Sequence, residues 1–359
     1  MKTAKINFIV PYLSLTGGNR VIFEYANHLA SRGHDVKVIY PLLPYKYLRG
    51  GVLDNGRAFN RMIKFFANIT FRRNLRWFDL KAKLVRVPFV SDRSVPDADV
   101  TIASCWPTAY SLNGLSARKG KKVYLIHHYE IDSGPKEMVD KTYSFPFTRI
   151  AVSDFSAKQL KDKLGVVIKT IIPNGINFDV FHPEITRIKS GKTILTYYNS
   201  KDMRKGSKDV VKTINRVKSE FPEAEFWAYG PDKDNDLPEF VKFYKRPSDG
   251  ELRKLYSNAD IFFYASSYEG FGLPPMEAMA CGCAVVSTDV GAVREFSIPG
   301  ETVLLSPPKD PEALSENIIK LLRDTDLQRR IAEKGYKHVQ QFTWEHSTDL
   351  LEEAIEQAE

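Results

Sequence analysis

The sequence predicts an α/β protein with two doubly wound parallel domains that follow one another along the chain. Short apolar segments alternate with amphipathic segments twice, first across residues 5–172 and again across residues 193–287. Between the two series, residues 173–183 are rich in proline and asparagine, which is typical of a linker. A length of 359 residues is sufficient for two domains of ordinary size.

The first series opens as a βαβ unit. Residues 5–10 are apolar, residues 21–32 repeat apolar side chains at helical spacing until Gly33, and residues 35–40 are again apolar. Residues 45–90 fit no regular pattern, and we expect helical insertions and loops there. Further strands are predicted at residues 100–103, 123–126, 149–152 and 170–172.

The second series repeats this alternation and ends in helices. Its strands are predicted at residues 193–198, 225–229, 260–264 and 284–287, and its helices at residues 207–220, 250–257 and 274–281. Three more helical patterns follow at residues 311–323, 326–342 and 345–358. Two parallel α/β halves joined by one linker predict a pair of Rossmann-like domains.

Composition excludes several classes of protein. The chain is 43% hydrophobic and 27% charged, as ordinary globular proteins are, and it has no apolar run of the length that a transmembrane helix requires. The N-terminal apolar run is too short for a signal peptide, and three cysteines are too few for a disulfide framework. We therefore expect a cytoplasmic protein.

Positive charge is concentrated in the first half of the chain. Residues 1–170 carry 28 Lys and Arg against 13 Asp and Glu, whereas residues 171–359 carry 24 against 31. Within the first half, residues 46–86 hold eleven basic side chains interleaved with aromatic ones. Such a surface suits an anionic membrane or a lipid-linked acceptor, in which case the protein is peripheral on the inner face of the cell membrane. A solvated helical face over core aromatics is the alternative, and we expect no nucleic acid partner. The docking candidates are Arg61, Lys64, Arg72, Arg73 and Arg76.

One segment, residues 266–280, carries the most specific signal. Glu269 and Glu277 lie eight positions apart, separated by a Gly-Phe-Gly turn and by two prolines that favour the first turn of a helix. We expect Glu269 on a loop and Glu277 in the first helical turn. The amides near Gly272 and Leu273 would then face an anion such as a phosphate. Two carboxylates beside an anion site suit a sugar phosphate, because carboxylates accept hydrogen bonds from hydroxyls.

This segment resembles the Glu-x7-Glu motif of retaining glycosyltransferases of the GT-B fold, most closely family GT4. Residues 258–264 and 281–288 are similar to the strands that flank the motif in that family, and the resemblance covers most of the chain. It implies two Rossmann-like domains that face a cleft. By resemblance, residues 1–175 bind the acceptor, residues 176–340 bind the nucleotide sugar, and a final helix over residues 341–359 packs back on the first domain.

The resemblance also implies roles for residues of the second domain. Glu269 would contact the donor sugar, Glu277 the ribose, and Lys205 the phosphates. The donor-binding turn comprises Gly270, Phe271, Gly272 and Leu273. Asn199 stands where the family has an arginine, and Lys201 or Arg204 would restore the missing cation. Arg246 would lie near the nucleobase.

Three residues of the first domain complete the predicted site. Gly17 and Gly18 follow the first strand and open a helix, where glycine permits close approach of a phosphate; the resemblance implies the donor diphosphate. His127 follows the strand at residues 123–126, so it should lie at the carboxyl edge of the sheet. By resemblance it lies near the reacting sugar. We expect no metal, because no further ligand pair is spaced to complete a site with His127 and its neighbour.

The sequence therefore predicts a retaining, metal-independent glycosyltransferase without a cofactor. It would move a sugar from a nucleoside diphosphate to a hydroxyl of a glycan or lipid-linked acceptor in polysaccharide, glycolipid or cell-envelope synthesis. A nucleotide-sugar epimerase and a non-catalytic nucleotide-sugar-binding protein on the same fold are the alternatives.

Overall fold

A computed structural model describes residues 2–14, 16–42, 78–184 and 192–358. These residues divide into two compact units. The first unit runs to Val152, continues over Ser156–Pro173 and takes up the chain again from Trp344. The second unit comprises Ser153–Phe155 and Asn174–Thr343.

The first unit is built on a parallel sheet. Within the described residues the sheet has seven strands in the order β3-β2-β1-β4-β5-β6-β7. In the third strand of this order, β1, Phe8 pairs with Val38 on one side and with Ile102 on the other. The strands are β1 Lys5–Ile9, β2 Asp35–Pro41, β3 Lys83–Val87, β4 Val100–Ala103, β5 Lys121–Ile126, β6 Thr148–Ala151 and β7 Thr170–Ile171.

Five α-helices of the described residues accompany this sheet, four within its series of strands and one from the end of the chain. They are α1 Gly17–Ser31, α2 Trp106–Asn113, α3 Lys136–Thr142, α4 Asp154–Leu164 and, from the end of the chain, α10 Trp344–Gln357. Helix α1 begins where the Thr16 hydroxyl accepts a hydrogen bond from the Asn19 amide at 3.3 Å, an N-cap that sets its first turn. The side chain of Asn19 donates in turn to the carbonyls of Tyr12 and Ser14, which fixes the loop between β1 and α1.

The second unit repeats the architecture with a six-stranded parallel sheet in the order β10-β9-β8-β11-β12-β13. Its strands are β8 Thr193–Tyr197, β9 Glu225–Gly230, β10 Lys242–Lys245, β11 Ile261–Tyr264, β12 Ala284–Thr288 and β13 Leu304–Ser306. Its helices are α5 Ser207–Glu220, α6 Asp249–Asn258, α7 Leu273–Ala280, α8 Pro311–Arg323 and α9 Thr325–Val339.

Local sequence signals set the helices of the second unit. Helix α6 begins with a capping box, in which Glu251 Oε2 accepts from the Ser248 amide at 2.8 Å and the Ser248 hydroxyl accepts from the Glu251 amide. Helix α5 turns Val210 and Ile214 inward, onto sheet residues such as Phe263. Burial of such apolar side chains supplies the main driving force for folding.

The C-terminal helix α10 packs on α1 of the first unit. Trp344 is buried and meets Tyr25 edge to face, with ring centroids 5.1 Å apart. At the far end of α1, Arg32 pairs with Asp349 and Glu352, and His34 Nε2 lies 2.6 Å from Glu352 Oε1. Apolar contact and ion pairs together hold the last helix on the first unit.

The fold confirms the two parallel α/β series, and local details differ from the expectation. Helix α1 begins four residues earlier than predicted, because the Thr16 cap starts it at Gly17. Helices α2, α3 and α4 were not predicted; they are short, and α2 has its proline in the first turn. Part of the irregular segment at residues 45–90 forms strand β3, and the rest of the expected insertions falls mainly outside the described residues. Across the described ranges no helix is long and apolar enough to cross a bilayer.

Candidate functional site

The second sheet has one point at which its winding reverses, between β8 and β11. The chain leaves β8 towards β9 on one side of this point and leaves β11 towards β12 on the other side. The two connecting segments therefore diverge, and a crevice opens at the carboxyl ends of β8 and β11. Residues 198–206 follow β8 and residues 265–272 follow β11. Lys205 belongs to the first of these loops and Glu269 to the second, so the sheet topology brings the two side chains together.

The loop after β8 is built to present Lys205. Asp202 caps a single helical turn by accepting from the Arg204 amide at 3.1 Å. The Arg204 carbonyl then accepts from the Ser266 hydroxyl at 2.9 Å and from the Ser267 amide at 2.7 Å. These bonds tie the loop after β8 to the loop after β11.

Lys205 and Glu269 form a short ion pair. Lys205 Nζ lies 2.5 Å from Glu269 Oε1, and only 21% and 14% of the two side chains are exposed. The same carboxylate oxygen accepts from the Tyr264 hydroxyl at 2.5 Å. Burial by itself raises the pKa of Glu269, but the charge and hydrogen bond of Lys205 and the bonds from Tyr264 and Ser266 outweigh it and hold that pKa below its usual range.

Backbone packing fixes the base of the Glu269 loop. Gly291 has a φ of +61°, and a Cβ atom there would lie 2.8 Å from the Glu269 Cβ. The neighbouring Ala292 amide donates to the Phe271 carbonyl at 3.1 Å, and the Phe271 ring packs on Phe296. The Gly270 carbonyl accepts from the Ser153 hydroxyl at 2.8 Å.

Helix α7 starts at the end of this loop. Gly272 takes the left-handed conformation with φ +97°, Leu273 is the first helical residue, and Pro274 and Pro275 occupy the first turn. The amides at the start of a helix have no internal acceptor and attract anions, and because proline has no N–H, the groups that can do so here are the amides of Gly272 and Leu273. The prediction that Glu277 lies in the first turn is wrong: because the helix begins at Leu273, Glu277 falls in the second turn.

Glu277 is held by buried tyrosines. It is 5% exposed, and its Oε2 accepts from the Tyr256 hydroxyl at 3.3 Å. The Tyr256 hydroxyl also lies 2.6 Å from the Tyr229 hydroxyl. Both carboxylates of the motif therefore accept a hydrogen bond from a buried phenol, Glu269 from Tyr264 and Glu277 from Tyr256.

The remaining predicted donor residues lie at the same edge of the second sheet. Asn199 Oδ1 accepts from the Lys201 amide at 3.2 Å, so this side chain shapes the turn after β8. Arg204 forms a two-pronged pair with Asp202, with Nε–Oδ1 and Nη2–Oδ2 distances of 3.0 and 2.9 Å. Lys201 pairs instead with Asp232, at 3.0 Å.

Arg246 lies beside the turn that follows β9. Its amide donates to the Gly230 carbonyl at 2.8 Å and its Nε to the Pro231 carbonyl at 3.2 Å. Its guanidinium is 3.8 Å from Asp232, which also pairs with Lys245. The hydrogen bonds from Lys245 and Lys201 lower the pKa of Asp232 to about 2.

The three predicted residues of the first unit also lie together. Gly17 and Gly18 form the first turn of α1, and a Cβ atom on Gly18 would lie 3.4 Å from the His127 ring. His127 follows β5 directly, and its Nε2 is buried without a hydrogen-bond partner among the described residues. Burial, with a smaller effect of His128, lowers the pKa of His127 to about 3, so its imidazole is neutral at neutral pH.

Some predicted features fall outside these sites. Arg61, Lys64, Arg72, Arg73 and Arg76 lie outside the described residues.

Among residues 2–14, 16–42, 78–184 and 192–358, no cluster of three or more His, Cys, Asp or Glu side chains is arranged to hold a metal ion.

Sequence reasoning missed the residues that support the two glutamates. Tyr264, Ser266 and Tyr256 act through contacts across the fold, and no local pattern distinguishes them from ordinary core residues. Gly291 gave a weak signal, since an isolated glycine can indicate a close backbone approach.

Family comparisons agree with this architecture. Residues 15–180 match the family described as glycosyltransferase family 4, and residues 180–338 match the family described as glycosyl transferases group 1. In fold comparisons, HepE from Anabaena in complex with UDP-glucose aligns with a TM-score of 0.75 and 15% identity, over 98% of this chain and 99% of HepE. Sucrose-phosphate synthase from Thermosynechococcus elongatus aligns with a TM-score of 0.72 and 18% identity, over 98% of each chain. The protein is thus of the GT-B class, with two Rossmann-like domains.

Sequence relatives lead to the same family. A phosphatidyl-myo-inositol mannosyltransferase from Mycolicibacterium smegmatis is 24% identical over 367 residues, which cover 95% of this chain and 90% of the relative. O-antigen chain mannosyltransferase B from Escherichia coli is 36% identical over 109 residues, 30% of this chain and 28% of the relative. The family 4 model and the group 1 model each match one half of the chain, and the protein is a glycosyltransferase of the GT4 type.

Substitution of Gly206 tests how the Lys205 loop is built. Gly206 has a φ of +66°, and a Cβ atom there would lie 1.9 Å from the Ala265 carbonyl oxygen. We expect Gly206→Ala to lower the midpoint of thermal unfolding by roughly 3–10 °C, because a strained left-handed residue costs about 1–3 kcal/mol and each kcal/mol shifts the midpoint by about 2–4 °C in a protein of this size.

The matched control is Gly250→Ala, since Gly250 lies in α6 with no atom within 4 Å of an added Cβ. Circular dichroism should show its midpoint unchanged or slightly higher. A Gly206→Ala protein that melts with the wild type would contradict the tight packing of this loop.

Proposed function

We propose that the protein transfers a sugar from a nucleoside diphosphate to a hydroxyl acceptor, with retention of anomeric configuration and without a metal ion. The observation that carries this proposal is the Lys205–Glu269 ion pair at the crevice of the second sheet, where Glu269 belongs to the loop that leads into α7. An ammonium group, a carboxylate and a helix N-terminus together suit a ligand that is anionic at one end and rich in hydroxyls at the other.

Donor binding would exchange the partners within this pair. Lys205 would turn from the carboxylate to the diphosphate, which the Gly272 and Leu273 amides at the start of α7 also attract. Glu269 would then accept hydrogen bonds from hydroxyls of the donor sugar. Glu277, held by Tyr256, would accept from the ribose hydroxyls. Lys205 would thus exchange the carboxylate for the diphosphate, and Glu269 would exchange the ammonium for sugar hydroxyls. Neither charged side chain would be left buried without a polar partner.

The chemistry depends on stabilising the departing diphosphate. The bond between the anomeric carbon and the phosphate oxygen breaks, and the acceptor oxygen bonds to the same face of that carbon. The acceptor proton passes to the departing phosphate oxygen. Lys205 and the amides of Gly272 and Leu273 would stabilise the negative charge that develops there, which is the task a metal ion performs in other transferases. Glu269 stays a hydrogen-bond acceptor and forms no covalent adduct.

His127 of the first unit would take part as a neutral imidazole. Its buried Nε2 has no hydrogen-bond partner among the described residues, so it can bond a hydroxyl of the sugar or acceptor. Gly17 and Gly18 would let the donor diphosphate approach the first turn of α1.

The sugar and the acceptor are proposed from the relatives. Two of them are named as mannosyltransferases, one acting on phosphatidyl-myo-inositol and one on the O-antigen chain, so a mannosyl donor and a lipid-linked or glycan acceptor are tested first. Polysaccharide, glycolipid or cell-envelope synthesis at the inner face of a membrane is the proposed setting. Of the basic residues in this segment, Lys83 and Arg86 on strand β3 are exposed, and the exposed Phe89 follows them.

A panel of UDP-, GDP-, dTDP- and ADP-sugars in EDTA tests the proposed reaction. We expect one donor to release free nucleoside diphosphate slowly without acceptor and faster with a hydroxyl acceptor. Lys205→Ala should lower this rate by about 100-fold or more, because it removes a charge that stabilises the leaving group. Lys208→Ala, an exposed lysine in the first turn of α5, is the matched control and should keep the wild-type rate.

Other outcomes would contradict the proposal. Release that stops in EDTA and returns with Mg²⁺ would overturn metal independence. Conversion of one nucleotide sugar into another without acceptor would indicate an epimerase. Donor binding without turnover would favour a non-catalytic binding protein.

Liposome binding tests the proposed membrane surface. We expect the protein to co-sediment with vesicles that contain anionic phospholipid, and about 200 mM additional salt to release it, because surface charges are screened at that ionic strength. Neutral vesicles are the control. Binding that ignores both salt and lipid charge would contradict an electrostatic surface.

A further inference from the structure

The hydroxyl of Tyr264 contacts both Lys205 and Glu269, the two charged groups of the candidate site. It is the last residue of β11 and is 2% exposed. Its hydroxyl donates to Glu269 Oε1 at 2.5 Å, and Lys205 Nζ lies 3.3 Å from the same hydroxyl. The ring is fixed by stacking on Phe262, with centroids 6.2 Å apart. The phenol therefore has a defined position next to both partners of the ion pair.

The Tyr264 hydroxyl is a hydrogen-bond donor at every working pH. Burial, together with the nearby charge of Glu269, raises the pKa of Tyr264 well above its usual value. An ionised phenol beside the Glu269 carboxylate would also be repelled by it. Lys205 is different, because its flexible ammonium can turn to another anion while remaining charged.

The bonding pattern separates the two oxygens of the carboxylate. The bonds from Tyr264 and Lys205 both end on Oε1. The second oxygen, Oε2, accepts no hydrogen bond from Tyr264 or Lys205. A bond that anchors Oε1 therefore leaves Oε2 in a fixed direction, which is what a directional hydrogen bond to a substrate hydroxyl requires.

We propose that Tyr264 is a positioning residue, which holds the Glu269 carboxylate in place through Oε1 when Lys205 leaves it for the donor diphosphate. This inference rests on the proposed function, in which donor binding separates Lys205 from Glu269. A buried carboxylate that lost its cation and had no donor would be costly and mobile. Tyr264 keeps a donor on Oε1 after Lys205 has left, in addition to the bond from Ser266, and it brings no charge that would attract the diphosphate.

The first test uses the ligand-free protein. Carboxyl carbons of glutamate are labelled with ¹³C, and the Glu269 signal is identified by its absence in Glu269→Gln. Tyr264→Phe keeps the ring and its stacking but removes the donor, so we expect the Glu269 titration to move to higher pH. Tyr198→Phe is the matched control, since Tyr198 is buried and donates to Asp234 at 2.6 Å, away from the Lys205–Glu269 pair. A Glu269 titration that is unchanged in Tyr264→Phe would overturn the inference.

The second test is kinetic. We expect Tyr264→Phe to lower kcat by about 10- to 100-fold with a smaller change in the donor KM, because a hydrogen bond to a charged group is lost while the nucleotide contacts remain. The acid limb of the pH–rate profile should also move to higher pH. Glu269 has a depressed pKa, so its ionised form persists as the pH falls, and removing a donor makes it protonate at a higher pH.

The two tests separate the possible failures. If the wild type turns over no donor, the proposed function fails, while the titration still decides whether Tyr264 holds Glu269. If turnover is normal in Tyr264→Phe and its pH profile is unmoved, the positioning role is overturned. If Tyr198→Phe shows the same loss, the effect belongs to general packing and the inference is again overturned.

Discussion

The ion pair between Lys205 and Glu269 is the contact around which the crevice of the second sheet is built. Its two members come from loops that follow neighbouring strands, β8 and β11, and meet only because the sheet reverses its winding between them. The surrounding residues hold the two loops close enough for Lys205 and Glu269 to pair. Gly206 lets the first loop pass against Ala265, and Gly291 lets a later segment pass beneath Glu269. Serine bonds to the Arg204 carbonyl join the two loops.

A pair of this kind gives a site two properties at once. In the free protein the opposite charges satisfy one another, so a largely buried ammonium and carboxylate can share a small volume. A ligand that offers an anion to Lys205 and hydroxyl groups to Glu269 can replace each partner in turn. A nucleoside diphosphate sugar offers both, and the Gly272 and Leu273 amides at the start of α7 favour its charged end. The ion pair in which the two charges neutralise one another is therefore also the pair whose separation would select a nucleoside diphosphate sugar.

The sequence predicted the local structure around the candidate site wherever the signal was local. The glycines and prolines of residues 270–275 are sufficient to place Glu269 on a loop and to start α7 after it. Glu277 was placed one turn too early, because the prolines indicated a start near residue 274 and could not show that Leu273 is already helical. The supporting tyrosines could not be predicted, since Tyr264 and Tyr256 reach the glutamates through tertiary contacts that leave no periodic pattern. Docking of an anionic membrane or acceptor by the basic residues from Arg61 to Arg76 stays a prediction, because these residues lie outside the described ones.

Binding of the nucleoside diphosphate alone, without its sugar, tests the exchange of partners most directly. It can be measured by calorimetry with wild type, Glu269→Gln and, as a control, Glu225→Gln at the exposed start of β9. If Glu269 competes with the diphosphate for Lys205, Glu269→Gln should bind the diphosphate roughly 2- to 10-fold more tightly than wild type, because the competing ion pair is gone. The control should bind as wild type does. Equal or weaker binding by Glu269→Gln would show that Lys205 does not leave the carboxylate for the diphosphate and would contradict the account.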